Sequence, residues 1–311
     1  MKRTDVLLLG LLSLMWGSSF LLIRVAVPGF GPASLVMLRV LLGAVLLFVY
    51  AKLAGQVLVF RPFAARFAML GLLNAALPYV LISAAELHLS ASFAAVLNAT
   101  VPLFAAVFAA MWLSERLTLR RMLGLFAGVI GVGVMVGWSP MPMTGEAMAS
   151  IAAMLVASAS YAAAGIYTKR KMKGISVHSL AFGQQLGALM WMLVPGAALA
   201  PRAVPGPLAL WSIVALGVVS TGIAYLLYFR LLERVGPTRT STVTYLMPVV
   251  GMLWGVLLLG ETVTTGMIGG LAVVMASVVL VNDIRLPSPV SAGWRAKRLA
   301  ECVEGGMATD G

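Results

Sequence analysis

LNATVPLFAAVFAAMWLSERLT, residues 97–118, is an apolar run of helix length with one internal proline, Pro102, closed by the polar pair Ser114 and Glu115. A shift of 146 residues finds it again: Pro102 falls on Pro248, Glu115 on Glu261, Thr118 on Thr264, Gly124 on Gly270 and Tyr79 on Tyr225. A repeat half the chain long, in an apolar sequence, bears on function as well as on fold.

The composition sets the class. Of 311 residues, 61% are hydrophobic and 10% charged, and mean hydropathy is +1.01, more apolar surface than a soluble fold can hide. The apolar residues come in runs of roughly 17 to 23, the length a helix needs to cross a bilayer core about 30 Å thick. The chain reads as a multi-pass, all-α membrane protein. Its net charge of +12 does not call for nucleic acid, because the basic residues lie in short loops between spans.

Breaks at Pro, Gly and charge clusters predict ten spans. The first five cover about 5–26, 33–51, 65–86, 91–112 and 120–137; the second five cover about 147–168, 177–199, 208–229, 237–259 and 265–282. With the N-terminus in the cytoplasm, the inner segments hold all of the 22 Lys and Arg residues except Arg24, Arg39 and Arg202. Both termini are therefore expected to be cytoplasmic. Five spans is an odd number, so the second half enters the membrane from the opposite side. The basic RLTLRR after Glu115 and the uncharged TVTTG after Glu261 agree with this. The expected organisation is a first repeat over 1–137, an outer connector over 138–146, a second repeat over 147–282 and a disordered cytoplasmic tail over 283–311. Two inverted five-helix repeats are the physical basis of alternating access to a midplane site.

MWGSSFLLIRVAV in the first span, LVMLRVLLGAVLL in the second, SASFAAVLNATVPLFAAVFAAMWLSERLTLRRMLGLFAGVIGVGVMV, and its second copy TRTSTVTYLMPVVGMLWGVLLLGETVTTGMIGGLAVVMASVVLV together resemble the EamA-type repeat of the drug/metabolite transporter superfamily. The resemblance runs from about residue 6 to 282. It implies ten helices in two inverted repeats, and export of small metabolites, amino acids or drugs across a bacterial-type inner membrane. It also implies a central cavity, with spans five and ten at the periphery. The second repeat departs from the pattern: Tyr161 and Ala162 replace the pair Trp16 and Gly17, and Gln184 stands opposite Arg39.

Arg39 lies well inside the second span, where an ionised side chain costs at least about 2.5 kcal/mol and should face a polar interior. It can meet an anionic part of a solute or carry gating charge; it can equally bind backbone carbonyls and fix packing. Arg24, nearer a helix end, can snorkel to the interface. Several of the aromatics Trp16, Tyr79, Tyr161, Tyr225, Tyr228 and Tyr245 sit at mid-span depth, away from the interfacial belts. They can line a cavity for an amphipathic solute or pack between helices. The repeat-related pair Tyr79 and Tyr225 is expected to converge on a central site. Asn74, Asn98, Thr100, Gln184, Gln185 and Thr244 offer neutral hydrogen-bonding groups, which also hold helices together at about 0.6 kcal/mol each. Gln184 and Gln185 are expected to face solute.

Pro102 and Pro248 each remove an intrahelical hydrogen bond, giving either a hinge or a static kink. Glu115 and Glu261, at opposite faces, are expected to cap or tie the turn into the next span, and the four are grouped as hinge and gating elements. Glu86 and His88 read as a solvated loop pair, with a proton site as the alternative. Glycines at 124, 128 and 270, among others, suit close helix approach.

The chain has no GxxxxGK[ST] loop, so it carries no ATP drive of its own. A single cysteine, Cys302, allows no disulfide within the chain. A membrane enzyme would need an acid/base or metal set, and no such constellation is legible; catalytic residues, metal ligands and cofactors are all expected to be none. The partners expected are a small-molecule substrate and membrane lipid. Proton coupling, and the choice between monomer and homodimer, stay open.

Overall fold

A computed structural model describes residues 3–113, 118–138, 144–240 and 242–281. Glu115, most of the connector and the tail therefore lie outside the described residues. The helices run in order: α1 (Arg3–Phe30), α2 (Pro32–Leu53), α3 (Arg61–Ala85), α4 (Ala91–Leu113), α5 (Leu119–Gly137), α6 (Gly145–Lys171), α7 (Val177–Ala198), α8 (Pro207–Val235), α9 (Val243–Leu259) and α10 (Thr265–Val281), with a short turn of helix at Pro237–Thr240 before α9. Seven of these, α1 to α6 and α8, are long and apolar enough to cross a membrane; α9 and α10 are shorter apolar helices. The described chain is all-helical, and large side chains such as Leu7, Phe126, Val129, Val194 and Trp211 stay exposed on its outside. That is the surface of a multi-pass membrane protein, where backbone groups are satisfied within helices and apolar side chains meet lipid.

Side-chain caps explain many of the boundaries. Ser90, Thr118, Thr144 and Ser176 each accept an N–H from the first turn of α4, α5, α6 and α7. Thr264 does the same for α10, accepting the N–H of Met267 at 3.3 Å. Thr118 and Thr264 are repeat mates, so the duplication conserves a cap within this one chain.

Glycines set the helix crossings. Gly71 of α3 lies against the backbone of Gly187 and Ala188 in α7, and Gly187 lies against the Phe67 carbonyl. Gly17 of α1 meets Val250 and Met247 of α9. α5 and α10 pack mainly on each other, with Gly124, Gly131 and Gly270 at the contact, and neither lines the central cavity.

Contacts bring helix ends together at two ends of the bundle. At one end, Asp5 of α1 pairs with Arg234 of α8 at 3.3 Å, and Arg66 at the start of α3 donates to the Lys171 carbonyl closing α6. At the other end, Ser34 at the start of α2 donates to the carbonyls of Gly196 in the last turn of α7 and of Leu199 just after it. His88 there meets Glu146 of α6, and Arg24 donates to the Glu86 carbonyl. These are called below the Asp5 end and the Glu86 end.

Two expectations change. Pro102 is not an internal kink: α4 is interrupted at Ala99 and Thr100, and the proline is the second residue of the helix that restarts at Val101. Without an N–H, Pro102 cannot donate to the Asn98 carbonyl, and the helix breaks there. Pro248 lies inside a continuous α9. Glu86 is not solvated: it is 0% exposed, whereas its neighbour His88 is open and faces Glu146.

Candidate functional site

A cavity of about 480 Å³ lies in the middle of the bundle, a size suited to a small organic molecule. Trp16, Arg39, Asn74, Tyr79, Asn98, Tyr161, Gln184 and Tyr225 all line it, so both halves of the chain contribute. Toward the Asp5 end the lining continues through Thr168, Leu232 and Thr240; toward the Glu86 end it stops at Ile23, Ile82 and Asn98. Gln185 and Tyr245 are not in the wall. Gln185 is fully buried and neither of its amide atoms has a hydrogen-bond partner among the described residues, while Tyr245 packs half-buried against the core.

Arg39, 3% exposed, is the one charged side chain in the lining among the described residues. Its Nε donates to Thr221 Oγ1 of α8 at 3.0 Å, and its guanidinium lies 3.9 Å from the centre of the Tyr79 ring. One edge of the fork is thus held by protein, and stacking fixes its plane.

The polar set beside it is tied across the repeats. Asn74 Nδ2 donates to Gln184 Oε1 at 2.8 Å and to the Tyr225 hydroxyl at 3.5 Å. Gln184 Nε2 and Asn98 Oδ1 have no partner among the described residues, leaving one donor and one acceptor in the cavity wall. The aromatic part forms two groups. Trp16 sits 6.0 Å from Tyr225 and 5.4 Å from Tyr228, and Tyr225 stacks on Phe229 at 6.1 Å. Tyr79 meets Tyr161 edge-on at 6.5 Å.

Two π-helical segments place several of these groups. Leu72–Ala76 interrupts α3 and carries Asn74; Ala215–Ile223 interrupts α8 and carries Thr221. The two overlap under the same 146-residue shift, which puts Asn74 on Ser220. A π turn rotates the residues after it relative to an unbroken helix. Thr221 was invisible in the sequence because its role depends on that rotation and on a partner 182 positions away. Tyr228, one of the mid-span aromatics, does enter the wall, as does Phe229, for which the sequence carries no signal.

Glu261 does not tie its own turn to the next span. Its carboxylate reaches the other repeat, accepting the N–H of Ala91 at 2.7 Å and of Ser92 at 2.9 Å. It therefore closes the N-terminus of α4 at the Glu86 end, where backbone N–H groups favour an anion.

A model of the EamA-like transporter family matches the chain twice, over residues 4–137 and 148–283. The chain belongs to the EamA-like transporter family. Within it, the chain is 29% identical to an uncharacterized transporter of Archaeoglobus fulgidus, over 86% of this chain and 94% of that one. It is 30% identical to a protein of Streptantibioticus cattleyicolor named "Probable terminal-alkyne amino-acid exporter", over 86% and 89%. It is 29% identical to the uncharacterized inner membrane transporter YedA of Escherichia coli K12, over 87% and 88%. One crystal structure superposes with a TM-score of 0.64 at 18% identity, covering 90% of this chain and 96% of that one; that likeness is of fold. The two family matches bracket the cavity, whose wall draws on both EamA segments.

Proposed function

We propose that this membrane transporter is a secondary carrier that moves a small organic solute outward across an inner membrane. Ten spans in two inverted repeats would alternate access to the central cavity. The observation that carries the reading is the cavity itself, walled by both repeats, with Arg39 held on one edge and facing neutral donors and aromatic rings. The contacts at the two ends support the inversion, since α1 starts and α6 finishes at the Asp5 end. By the charge count that end is cytoplasmic, with both termini, and the cavity lining leads to it.

The solute that fits carries an anionic group for Arg39 and an apolar or aromatic body for the Trp16, Tyr225 and Phe229 wall; amino acids, other metabolites and drugs with a carboxylate all meet that description. Binding, rather than bond-making chemistry, is the work of this site. A second reading, a passive facilitator of the same fold, is favoured by one observation: the lining holds no carboxylate among the described residues.

A panel of carboxylate-bearing solutes, scored by thermal stabilisation and counterflow in proteoliposomes, tests the carrier. Counterflow by the wild type and none by Arg39→Ala is the expected result; failure of every anionic solute, with a neutral or cationic one transported, overturns the assignment. Uptake that ignores an imposed pH gradient identifies the facilitator.

A further inference from the structure

Glu86 stands apart from the site just described. It lies in the turn immediately after α3, is 0% exposed, and neither carboxyl oxygen has a hydrogen-bond partner among the described residues. Arg24 of α1 is beside it but donates to its backbone carbonyl, not to its carboxyl. The charged groups that face it are Arg24, Arg39 of α2, and Glu261 from the turn after α9. His88, two residues on in the same turn, is partly open and meets the exposed Glu146 of α6.

An ionised carboxylate without a hydrogen-bond donor is far costlier to bury than the neutral acid. Burial is the largest effect; Arg24 and Arg39 favour the carboxylate, while Glu261, whose own oxygens are committed to Ala91 and Ser92, adds a like charge against it. Glu86 also sits on the cavity-facing stripe of α3, four residues beyond Ile82 and seven beyond Tyr79, which both line the wall. It is thus placed where the lining stops and the closed end begins.

We propose that Glu86 is a proton-binding site that latches the Glu86 end shut. The carboxylic acid is buried while that end is closed. When the end opens, water enters and the Glu86 O–H bond breaks; the proton passes to the outer solution and the electron pair stays on the carboxylate, now free to meet Arg24. Closing takes a proton back from the same side. Glu86 is not part of the cavity wall, so the proton is exchanged with the outside and does not cross. The repeat mate of Glu86 under the 146-residue shift is Leu232, which lines the cavity toward the Asp5 end. The latch is therefore built on one side only.

The proposal rests on the alternating-access reading, and the sign follows from linkage: the closed state binds one more proton, so external acid favours it and external alkali weakens it. The test uses full-length protein with Cys302→Ser, an Ile82→Cys reporter in the outer part of the wall, and intact cells exposed to a membrane-impermeant maleimide. Its labelling rate is divided by that of an exposed Arg202→Cys control to remove thiol chemistry. The ratio should rise with external pH, by no more than about tenfold per unit, the limit for one proton, and should not respond to internal pH. Glu86→Gln, and Glu86→Leu built on the Leu232 precedent, should label slowly at every pH, whereas His88→Gln should keep the wild-type profile.

A reporter labelled from outside with no dependence on external pH, or with the wild-type dependence kept in the Glu86 variants, overturns the latch and leaves alternating access standing. A dependence lost in His88→Gln moves the sensor to His88 and overturns it too. A reporter never labelled from outside at any pH overturns alternating access and the latch together.

Discussion

Arg39 and Tyr79 meet as cation and ring, 3.9 Å from guanidinium to ring centre, although one belongs to α2 and the other to α3. The ring fixes the plane of the only charged group in the described cavity wall, so the pair can be separated by substitution. Tyr79→Phe keeps the stack and should transport the solute found by screening at close to wild-type rates. Tyr79→Leu should weaken apparent affinity by a few-fold to about thirtyfold, the range of a cation–π contact of about 0.5–2 kcal/mol. Arg39→Lys should not rescue, because an ammonium cannot offer the planar fork. Counterflow kinetics on the three variants check this.

Thr221 accepts from Arg39 Nε and donates to the Leu216 carbonyl at 2.8 Å, five residues back in the π segment. Thr221→Val removes both bonds while keeping the shape. It should destabilise the protein by about 1–3 kcal/mol, because a buried charged donor loses its acceptor. Thermal unfolding in detergent reads the loss, and an unchanged midpoint would show that Arg39 is anchored otherwise.

Glu261 caps α4 across the repeats. Glu261→Ala should lower stability by about 0.5–2 kcal/mol, the usual cost of losing an N-terminal cap. It should also speed maleimide labelling of a cysteine placed at Ile82 from the Glu86 end. Loss of stability with no change in labelling would make the cap structural alone.

Gly187 brings α7 against the Phe67 carbonyl of α3. A Cβ there meets backbone, which cannot give as a flexible side chain can. Gly187→Val should therefore cost about 1–3 kcal/mol or more and sharply reduce the yield of folded protein by size-exclusion chromatography. Gly10, with nothing near its Cβ position, is the control: Gly10→Ala should be neutral.

Gln185 is buried outside the wall with both amide atoms unpartnered. Replacing such a group by an apolar one of similar shape is close to neutral or stabilising. Gln185→Met should keep transport and leave the unfolding midpoint unchanged or higher; lost transport would return Gln185 to the binding groups.

The sequence by itself determined the class, most helix limits to within about four residues, and the 146-residue repeat, because hydropathy, proline and charge act locally and leave a periodic trace; the end of α8 and the start of α9 lie further off. The alignment of Thr118 with Thr264, and of Tyr79 with Tyr225, followed from that trace; that the two threonines cap helices came from the structure. The tertiary structure alone decided which polar groups meet. Gln184 enters the wall and adjacent Gln185 does not, since consecutive residues on a helix point about 100° apart and only packing shows which faces inward. Thr221 reaches Arg39 through a π turn that carries no sequence mark. Glu86 looked like a loop carboxylate because the charged groups that face it, Arg24, Arg39 and Glu261, come from residues far away in the chain.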